Sequence, residues 1–151
     1  MILVIQRVRR AAVRVAGETV GEIGRGLLVL ACVEPEDDPL STDEAARKTA
    51  ELRVFEDVSG RMNLDVAQAG GGILAVPQFT LGADLSRGRR PGFEGAAKPE
   101  VAEPLFNRFV ATVRAYGVPV ATGRFGAKME MELVNDGPAT FVWRNRRSAL
   151  P

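Results

Sequence analysis

The chain has 151 residues, no histidine and a single cysteine, Cys32. This composition excludes a Ser-His-Asp triad, a Cys-His pair, a histidine-based metal site and a thiolate zinc site. The formal net charge is only +1, so a polyanionic partner would have to be bound by local basic clusters. The length predicts one domain, residues 1–151, that can bury a core without disulfides.

The first part of the chain is predicted to consist mainly of strands. Short apolar or alternating segments separated by glycine turns are typical of β-structure. The predicted strands cover residues 1–8, 12–15, 19–23 and 27–33. Because the last of these is apolar throughout, we expect it to be a central strand of the sheet.

Two helices are predicted. Ser41 and Glu44 have the spacing of a capping box, so we expect the first helix to begin there and to end near Val54. The regular part of the second helix is expected to begin near Glu103, because Pro104 is tolerated best in a first turn. Both helices interrupt a chain that otherwise has the periodicity of strands.

Three further short strands are predicted. Alternating side chains predict short strands near residues 62–66 and 128–133, and residues 141–143 resemble a last strand. Residues 135–140 are expected to interrupt the sheet. These elements predict an α+β fold: one compact domain with a mostly antiparallel, barrel-like sheet and two main helices.

Residues 72–81 are the most informative stretch of the sequence. An apolar run that follows three glycines predicts a buried strand, and Pro77 is expected at its end because proline cannot donate a ladder hydrogen bond. If the chain stays extended, Gln78 and Thr80 lie on one side and Phe79 on the other. Polar groups at a distorted strand end are typical of a pocket, and the alternative is an ordinary loop.

A glycine-rich loop, residues 82–98, contains the basic residues Arg87, Arg89 and Arg90. Loops of this length without regular structure are often functional. Clustered arginines favour a polyanionic partner, and a solvated surface of mixed sign is the alternative.

At two places the sequence resembles the D-aminoacyl-tRNA deacylase family. Pro77-Gln78-Phe79-Thr80-Leu81 resembles the family motif Ser-Gln-Phe-Thr-Leu, and Asn135-Asp136-Gly137-Pro138-Ala139-Thr140 resembles Asn-x-Gly-Pro-x-Thr. Similarity to the family extends over residues 1–143 and includes residues 5–8, 26–30, 61–64, 89–91 and 122–125.

The resemblance implies a homodimeric enzyme that hydrolyses the ester between a D-amino acid and the 3′ adenosine of tRNA. It also implies a cis Gly137-Pro138 bond, in a segment that reaches the partner's pocket, holds the substrate amino group and excludes L side chains. Arg7 would brace that segment. Such a filter would also admit glycyl-tRNA.

The remaining roles also come from the resemblance. Gln78, Phe79 and Thr80 would form the catalytic turn, whose amides stabilise the oxyanion, while the tRNA 2′-hydroxyl assists the chemistry. Pro77, Phe125 and Met129 would line the substrate pocket. Arg87, Arg89 and Arg90 would bind tRNA. The expected enzyme is cytoplasmic, binds no membrane and needs no metal and no other cofactor.

One residue departs from the family pattern, because Pro77 stands where the family usually has serine. A sister group with relaxed chirality carries Pro-Gln-Ala-Thr-Leu there, whereas Phe79 and Asn135 agree with the stricter group. The alternatives are therefore the relaxed-chirality deacylase and a non-catalytic dimeric module that binds nucleic acid. Residues 144–151 extend past the resemblance and are expected to form a frayed basic tail.

Overall fold

The fold is built around one long strand, β1 (Ile2–Val15), which pairs antiparallel with β2 (Glu18–Ile23), β3 (Gly26–Cys32) and β8 (Glu130–Arg144). The computed structural model describes residues 1–145. The first half of β1 lies between β3 and β8, and its second half lies between β2 and β8. One strand therefore links most of the sheet.

The sheet is mixed: the pairings of β1 are antiparallel, and those of β6 are parallel. Its order is β2-β1-β3-β6-β7, with β8 on β1, and β6 (Gly72–Pro77) runs parallel to both β3 and β7 (Val120–Thr122). A Cβ atom at Gly21 of β2 would clash with the Thr122 carbonyl oxygen of β7. Glycine thus allows the two edge strands to approach closely, and the sheet nearly closes into the predicted barrel.

Two helices cover one face of the sheet. They are α1 (Pro39–Glu51) and α2 (Pro99–Ala115), and their buried side chains pack with alternate residues of β1, β3 and β6. The Arg108 guanidinium donates two hydrogen bonds, of 2.8 and 2.7 Å, to the Asp43 carboxylate across the helices. This contact lowers the pKa of Asp43. A second apolar cluster, centred on Val8, Leu28, Leu74 and Val76, fills the opposite face.

Separate strands were predicted for residues 1–8 and 12–15, and this was wrong because β1 is continuous. Its register against β8 shifts on both sides of Val8, which marks β-bulges. The bulges let Val8 and Ala11 both be buried while Arg9 and Arg10 between them are exposed. The polar pair therefore marks an irregularity in pairing and not the end of a strand.

The predicted start of α1 was also wrong. Asp38 is the N-cap and accepts a hydrogen bond of 2.7 Å from the Ser41 amide, while Ser41 Oγ accepts one of 2.9 Å from the Asp38 amide. Ser41 therefore occupies the third helical position, and Pro39 has the first position that suits proline. The helix ends before Leu52, whose backbone is extended, and so does not reach Val54.

The second helix begins one turn earlier than predicted, at Pro99, and contains Pro104 in its interior. Pro104 is exposed, so solvent can hydrate the carbonyl group that it leaves unpaired. Residues 135–140 likewise do not break the sheet, because β8 continues through them with shifts of register. Phe55–Glu56 and Met62–Leu64 form a separate small sheet, β4 and β5.

Within residues 1–145, no helix is both long enough and apolar enough to cross a bilayer. The predicted tail lies mostly outside the described residues. Arg144, its first residue, is the last residue of β8 and forms an ion pair with the buried Glu34 carboxylate, which raises the pKa of Arg144.

Candidate active site

A cavity of about 550 Å³ opens where β6 ends. The Pro77 backbone lies opposite Ala31 of β3, and the Gln78 amide donates a hydrogen bond of 2.8 Å to the Ala31 carbonyl oxygen. The chain then leaves the sheet in a single 3-10 turn, Phe79–Gly82, which we call the pocket turn. Parallel strands thus position the turn through backbone contacts.

The pocket turn differs from the extended chain considered from the sequence. Gln78 has φ −142° and ψ 76°, and the next residues are helical. Gln78 and Thr80 nevertheless meet, since the Gln78 side-chain amide donates a hydrogen bond to Thr80 Oγ1. Thr80 is exposed and does not line the cavity, whereas Gln78 does.

The cavity brings together most of the residues that were predicted to form the pocket. Its lining is largely apolar and includes the predicted Pro77, Gln78, Phe79, Phe125 and Met129. A mostly apolar cavity with few polar groups is the usual form of a small-molecule site. The prediction of a pocket at the end of this strand is therefore preferred over an ordinary loop.

The pocket turn has backbone hydrogen-bond donors at its start. The first amides of a 3-10 turn have no acceptor within the turn, and here they belong to Phe79 and Thr80. Amides of this kind can stabilise a developing oxyanion. Their assignment to catalysis stays a prediction.

The cavity wall beside the pocket turn was missed in the sequence. It is formed by residues 93–98, and the Phe93 ring meets the Phe79 ring edge to face with centroids 5.2 Å apart. A Cβ atom at Gly82 would lie 2.7 Å from the Gly95 carbonyl oxygen, so two backbone segments touch there. Phe93 lies in a glycine-rich loop without periodicity, and no local sequence signal marks it.

Cys32 packs against the pocket turn on its buried side. Its Sγ atom lies 3.6 Å from the Phe79 carbonyl oxygen, at hydrogen-bond distance for sulfur. Burial raises the pKa of the Cys32 thiol to about 11, while a backbone hydrogen bond from Gly82 opposes this shift. The thiol is therefore protonated near neutral pH and fills core space.

A second predicted group, Arg7 with Gly137 and Pro138, lies apart from the cavity lining. The buried Arg7 guanidinium donates hydrogen bonds to the Asp136 carbonyl oxygen at 3.0 Å and the Val54 carbonyl oxygen at 2.6 Å. It also lies 3.3 Å from the Asp136 carboxylate. Arg7 thus braces residues 135–140, which we call the Gly-Pro segment.

The Gly-Pro segment has a cis Gly137-Pro138 bond, as expected from the resemblance. Asn135 fixes it to β1, because its side-chain amide donates a hydrogen bond of 2.8 Å to the Arg7 carbonyl oxygen. The role of this segment in a partner's pocket stays a prediction.

The three predicted tRNA-binding arginines lie together in an exposed loop. Asp84 and Gly92 exchange backbone hydrogen bonds of 2.8 and 3.0 Å, which close the loop at its base. Residues 83–92 therefore form a small arm, here called the basic arm, that carries Arg87, Arg89 and Arg90. Across residues 1–145, no acidic side chain forms an ion pair with these three guanidinium groups.

Comparisons with known proteins agree with the family resemblance and with the fold. A family model described as D-Tyr-tRNA(Tyr) deacylase matches residues 4–144. A D-aminoacyl-tRNA deacylase of Symbiobacterium thermophilum is 58% identical over 139 residues, which cover 92% of each chain. Another of that name, from Chloroflexus aurantiacus, is 51% identical over 151 residues, which cover 100% of this chain and 94% of the relative.

Two solved structures share the fold. The "c-Myc DNA Unwinding Element Binding Protein" has a TM-score of 0.89 and 38% identity, with 96% of this chain and 99% of that chain covered. A "probable eukaryotic D-amino acid tRNA deacylase" has a TM-score of 0.81 with 94% and 97% covered, and at 20% identity it shows the fold alone.

The sequence matches define the chain as a deacylase, a class of hydrolase. It belongs to the D-Tyr-tRNA(Tyr) deacylase family, because the family model spans nearly the whole chain and relatives exceed 50% identity. The family predicted from the two motifs is confirmed.

Proposed function

We propose that this protein is a cytoplasmic homodimer that hydrolyses the ester joining a D-amino acid to the 3′ adenosine of tRNA. The observation that carries the proposal is the apolar cavity beneath the pocket turn, in a chain 58% identical to a relative named D-aminoacyl-tRNA deacylase. The aminoacylated adenosine occupies this cavity.

Catalysis is proposed to depend on the backbone of the pocket turn. The Phe79 and Thr80 amides donate to the ester oxygen as it gains negative charge, and one such donor is worth about 3–4 kcal/mol in other enzymes. The chain has no histidine to activate Thr80, so the tRNA 2′-hydroxyl assists the attack by water. Gln78 orients the Thr80 side chain through their hydrogen bond.

Selection of the D configuration is proposed to come from a second copy of the chain. The Gly-Pro segment of that copy enters the cavity, its carbonyl groups hold the substrate amino group, and an L side chain would overlap it. A D side chain or the hydrogen of glycine avoids the overlap, so glycyl-tRNA is also hydrolysed. Arg7 keeps the segment in position for this task.

The edge of β8 supports the proposed dimer. Among the described strands β8 pairs with β1 alone, so one edge of a 15-residue strand offers free backbone groups. Val142 on this strand is 73% exposed, and Val134 is exposed as well. A free strand edge that has two exposed valines and carries the Gly-Pro segment suits pairing with a second copy.

The test compares hydrolysis of D-Tyr-tRNA and L-Tyr-tRNA under the same conditions. We expect rapid release of D-tyrosine and a rate with L-Tyr-tRNA close to the uncatalysed one. Equal rates with the two substrates would contradict chiral selection.

Because Pro77 matches the relaxed-chirality group, D- and L-alanyl-tRNA are compared as well. The variant Pro77→Ser shows whether this position sets the selectivity.

A second candidate is a dimeric module that binds nucleic acid without chemistry. It is favoured by the solved structure at 38% identity, because that protein is named as a DNA unwinding element binding protein. The exposed basic arm suits either function. Hydrolysis separates them, because a binding module would protect or ignore the ester in the assay above.

A further inference from the structure

A second cavity, of about 620 Å³, adjoins the candidate active site. The two cavities share the wall formed by Phe93, Ala96, Ala97 and Lys98. The second cavity adds Pro35 and Val101 to that wall and is more open than the first. The two cavities are therefore neighbours on either side of this wall.

The shared wall has the chemistry of a nucleotide site. Phe93 is 42% exposed and offers an aromatic surface, on which a base of any identity can stack. Lys98 is the only cation among the residues that line either cavity, and within residues 1–145 it forms no ion pair. A free ammonium group beside an apolar cavity favours an anion such as a phosphodiester.

The second cavity is connected to the basic arm through Phe93. Phe93 follows Gly92, the residue that closes the base of the arm. Glu94 also lines the second cavity, and a carboxylate there accepts hydrogen bonds from an exocyclic amino group such as that of cytosine. Three features therefore follow one another: the first cavity, the wall with Phe93 and Lys98, and the basic arm with its three exposed arginines.

We propose that the second cavity binds the penultimate nucleotide of the tRNA 3′ end. Its base stacks on Phe93, and Lys98 binds the phosphodiester that joins this nucleotide to the terminal adenosine. The inference rests on the proposed function, because it takes the ester-bearing adenosine to lie in the first cavity. In this proposal the enzyme binds the single-stranded 3′ end of tRNA and not only the aminoacylated nucleoside.

Two short substrates test this: 3′-D-tyrosyl-adenosine and the dinucleotide D-tyrosyl-CpA. We expect the dinucleotide to be hydrolysed with a kcat/KM about tenfold higher, through a lower KM, which is the size expected for one stacked base. Lys98→Met and Phe93→Leu should each bring the ratio of the two kcat/KM values toward one, and Lys98→Arg should preserve it. The control is Lys48→Met, an exposed lysine of α1 outside both cavities, which should keep the wild-type ratio.

A ratio near one in the wild-type protein would overturn the inference, as would a ratio that Lys98→Met and Phe93→Leu leave unchanged. Hydrolysis of both substrates in either case would leave the proposed function intact. If neither ester is hydrolysed and full-length D-Tyr-tRNA is also stable, both the proposed function and the inference are wrong.

Discussion

The pocket turn and the Gly-Pro segment are held in place in different ways. The pocket turn is fixed mainly by the backbone: Pro77 pairs with Ala31, the Gln78 amide donates to the Ala31 carbonyl oxygen, and Gly82 packs on Gly95. The Gly-Pro segment depends strongly on one buried side chain, that of Arg7, which donates to the Asp136 carbonyl oxygen. One region is held mainly by backbone contacts, and the other mainly by side chains, those of Arg7 and Asn135.

This difference determines how each region responds to mutation. Side-chain replacements in the pocket turn remove few of the contacts that hold it, so its amides should keep their positions. Loss of Arg7 removes the brace of the Gly-Pro segment and leaves two carbonyl groups without a donor. The comparison therefore predicts that the pocket turn tolerates substitution better than the Gly-Pro segment does.

The largest effect is expected for Arg7→Ala. Because Arg7 is buried and its two carbonyl partners lose their hydrogen bonds, the free energy of unfolding should fall by about 2–4 kcal/mol. Discrimination between D-Tyr-tRNA and L-Tyr-tRNA should weaken in the protein that remains folded. Denaturant unfolding and paired deacylation assays measure the two effects.

The matched control is Arg9→Ala. The Arg9 side chain is 77% exposed and lies 4.0 Å from the same Asp136 carboxylate, so its loss should change stability by less than about 0.5 kcal/mol. Equal effects of the two substitutions would contradict the bracing role of Arg7.

The next effect is expected when Arg87, Arg89 and Arg90 of the basic arm are replaced by alanine together. Binding of tRNA should weaken. The slope of log K against the logarithm of the salt concentration should decrease in magnitude by about 2–3, because up to three phosphate contacts are lost. The D/L ratio should not change, since phosphate contacts position a nucleic acid without reading the amino acid. Titrations with tRNA at several salt concentrations measure this.

The control replaces three exposed basic residues elsewhere, Arg47, Lys48 and Arg61. This variant has the same net charge as the arm variant, so equal loss of binding in both would show that net charge, and not the arm, governs the interaction with tRNA.

A smaller effect is expected for Thr80→Ala. Thr80 is exposed, lies outside the cavity lining and has no histidine to activate it, so single-turnover hydrolysis should fall by no more than about tenfold. Gly82→Ala is the informative comparison, because its Cβ would meet the Gly95 backbone and shift the pocket turn. A covalent tyrosyl ester on Thr80, detected by mass spectrometry, would contradict the proposed mechanism.

The smallest effect concerns Cys32. Burial raises the pKa of its thiol to about 11, whereas an ordinary cysteine has a pKa of about 8.5. The native protein should therefore not react with iodoacetamide at pH 8, and its reactivity should rise only as the pH approaches 11. The unfolded chain in denaturant is the positive control. Rapid native alkylation at pH 8 would show that the pocket turn opens readily.

Much of the fold could be predicted because β3 and β6 are apolar throughout and local patterns report burial well. The continuity of β1 could not be predicted, since Arg9 and Arg10 resemble a strand end unless the bulges against β8 are known. The parallel pairing of β6 with its neighbours depends on contacts between distant residues, which periodicity does not report.

The candidate site, like the fold, could be predicted in part. Pro77, Gln78, Phe125 and Met129 were expected in the pocket from the family resemblance, and they line the cavity. Phe93 could not be assigned, because its role comes from a contact with Phe79 across a loop that has no repeating pattern.

The most direct test of the account asks whether the Gly-Pro segment of one copy serves the cavity of the other. Gly137→Phe adds a ring at a position with only ordinary contacts inside its own chain, so that chain should fold but block a partner's cavity. Ala102→Trp instead fills the cavity of its own chain. Each variant alone should lose D-Tyr-tRNA hydrolysis.

Mixed dimers of the two variants, isolated with two different tags, carry one site with an open cavity and an unmodified Gly-Pro segment. We predict that they recover about half of the wild-type rate on D-Tyr-tRNA and remain inactive on L-Tyr-tRNA. Mixed dimers as inactive as either parent variant would contradict the proposal that the filter acts across the dimer.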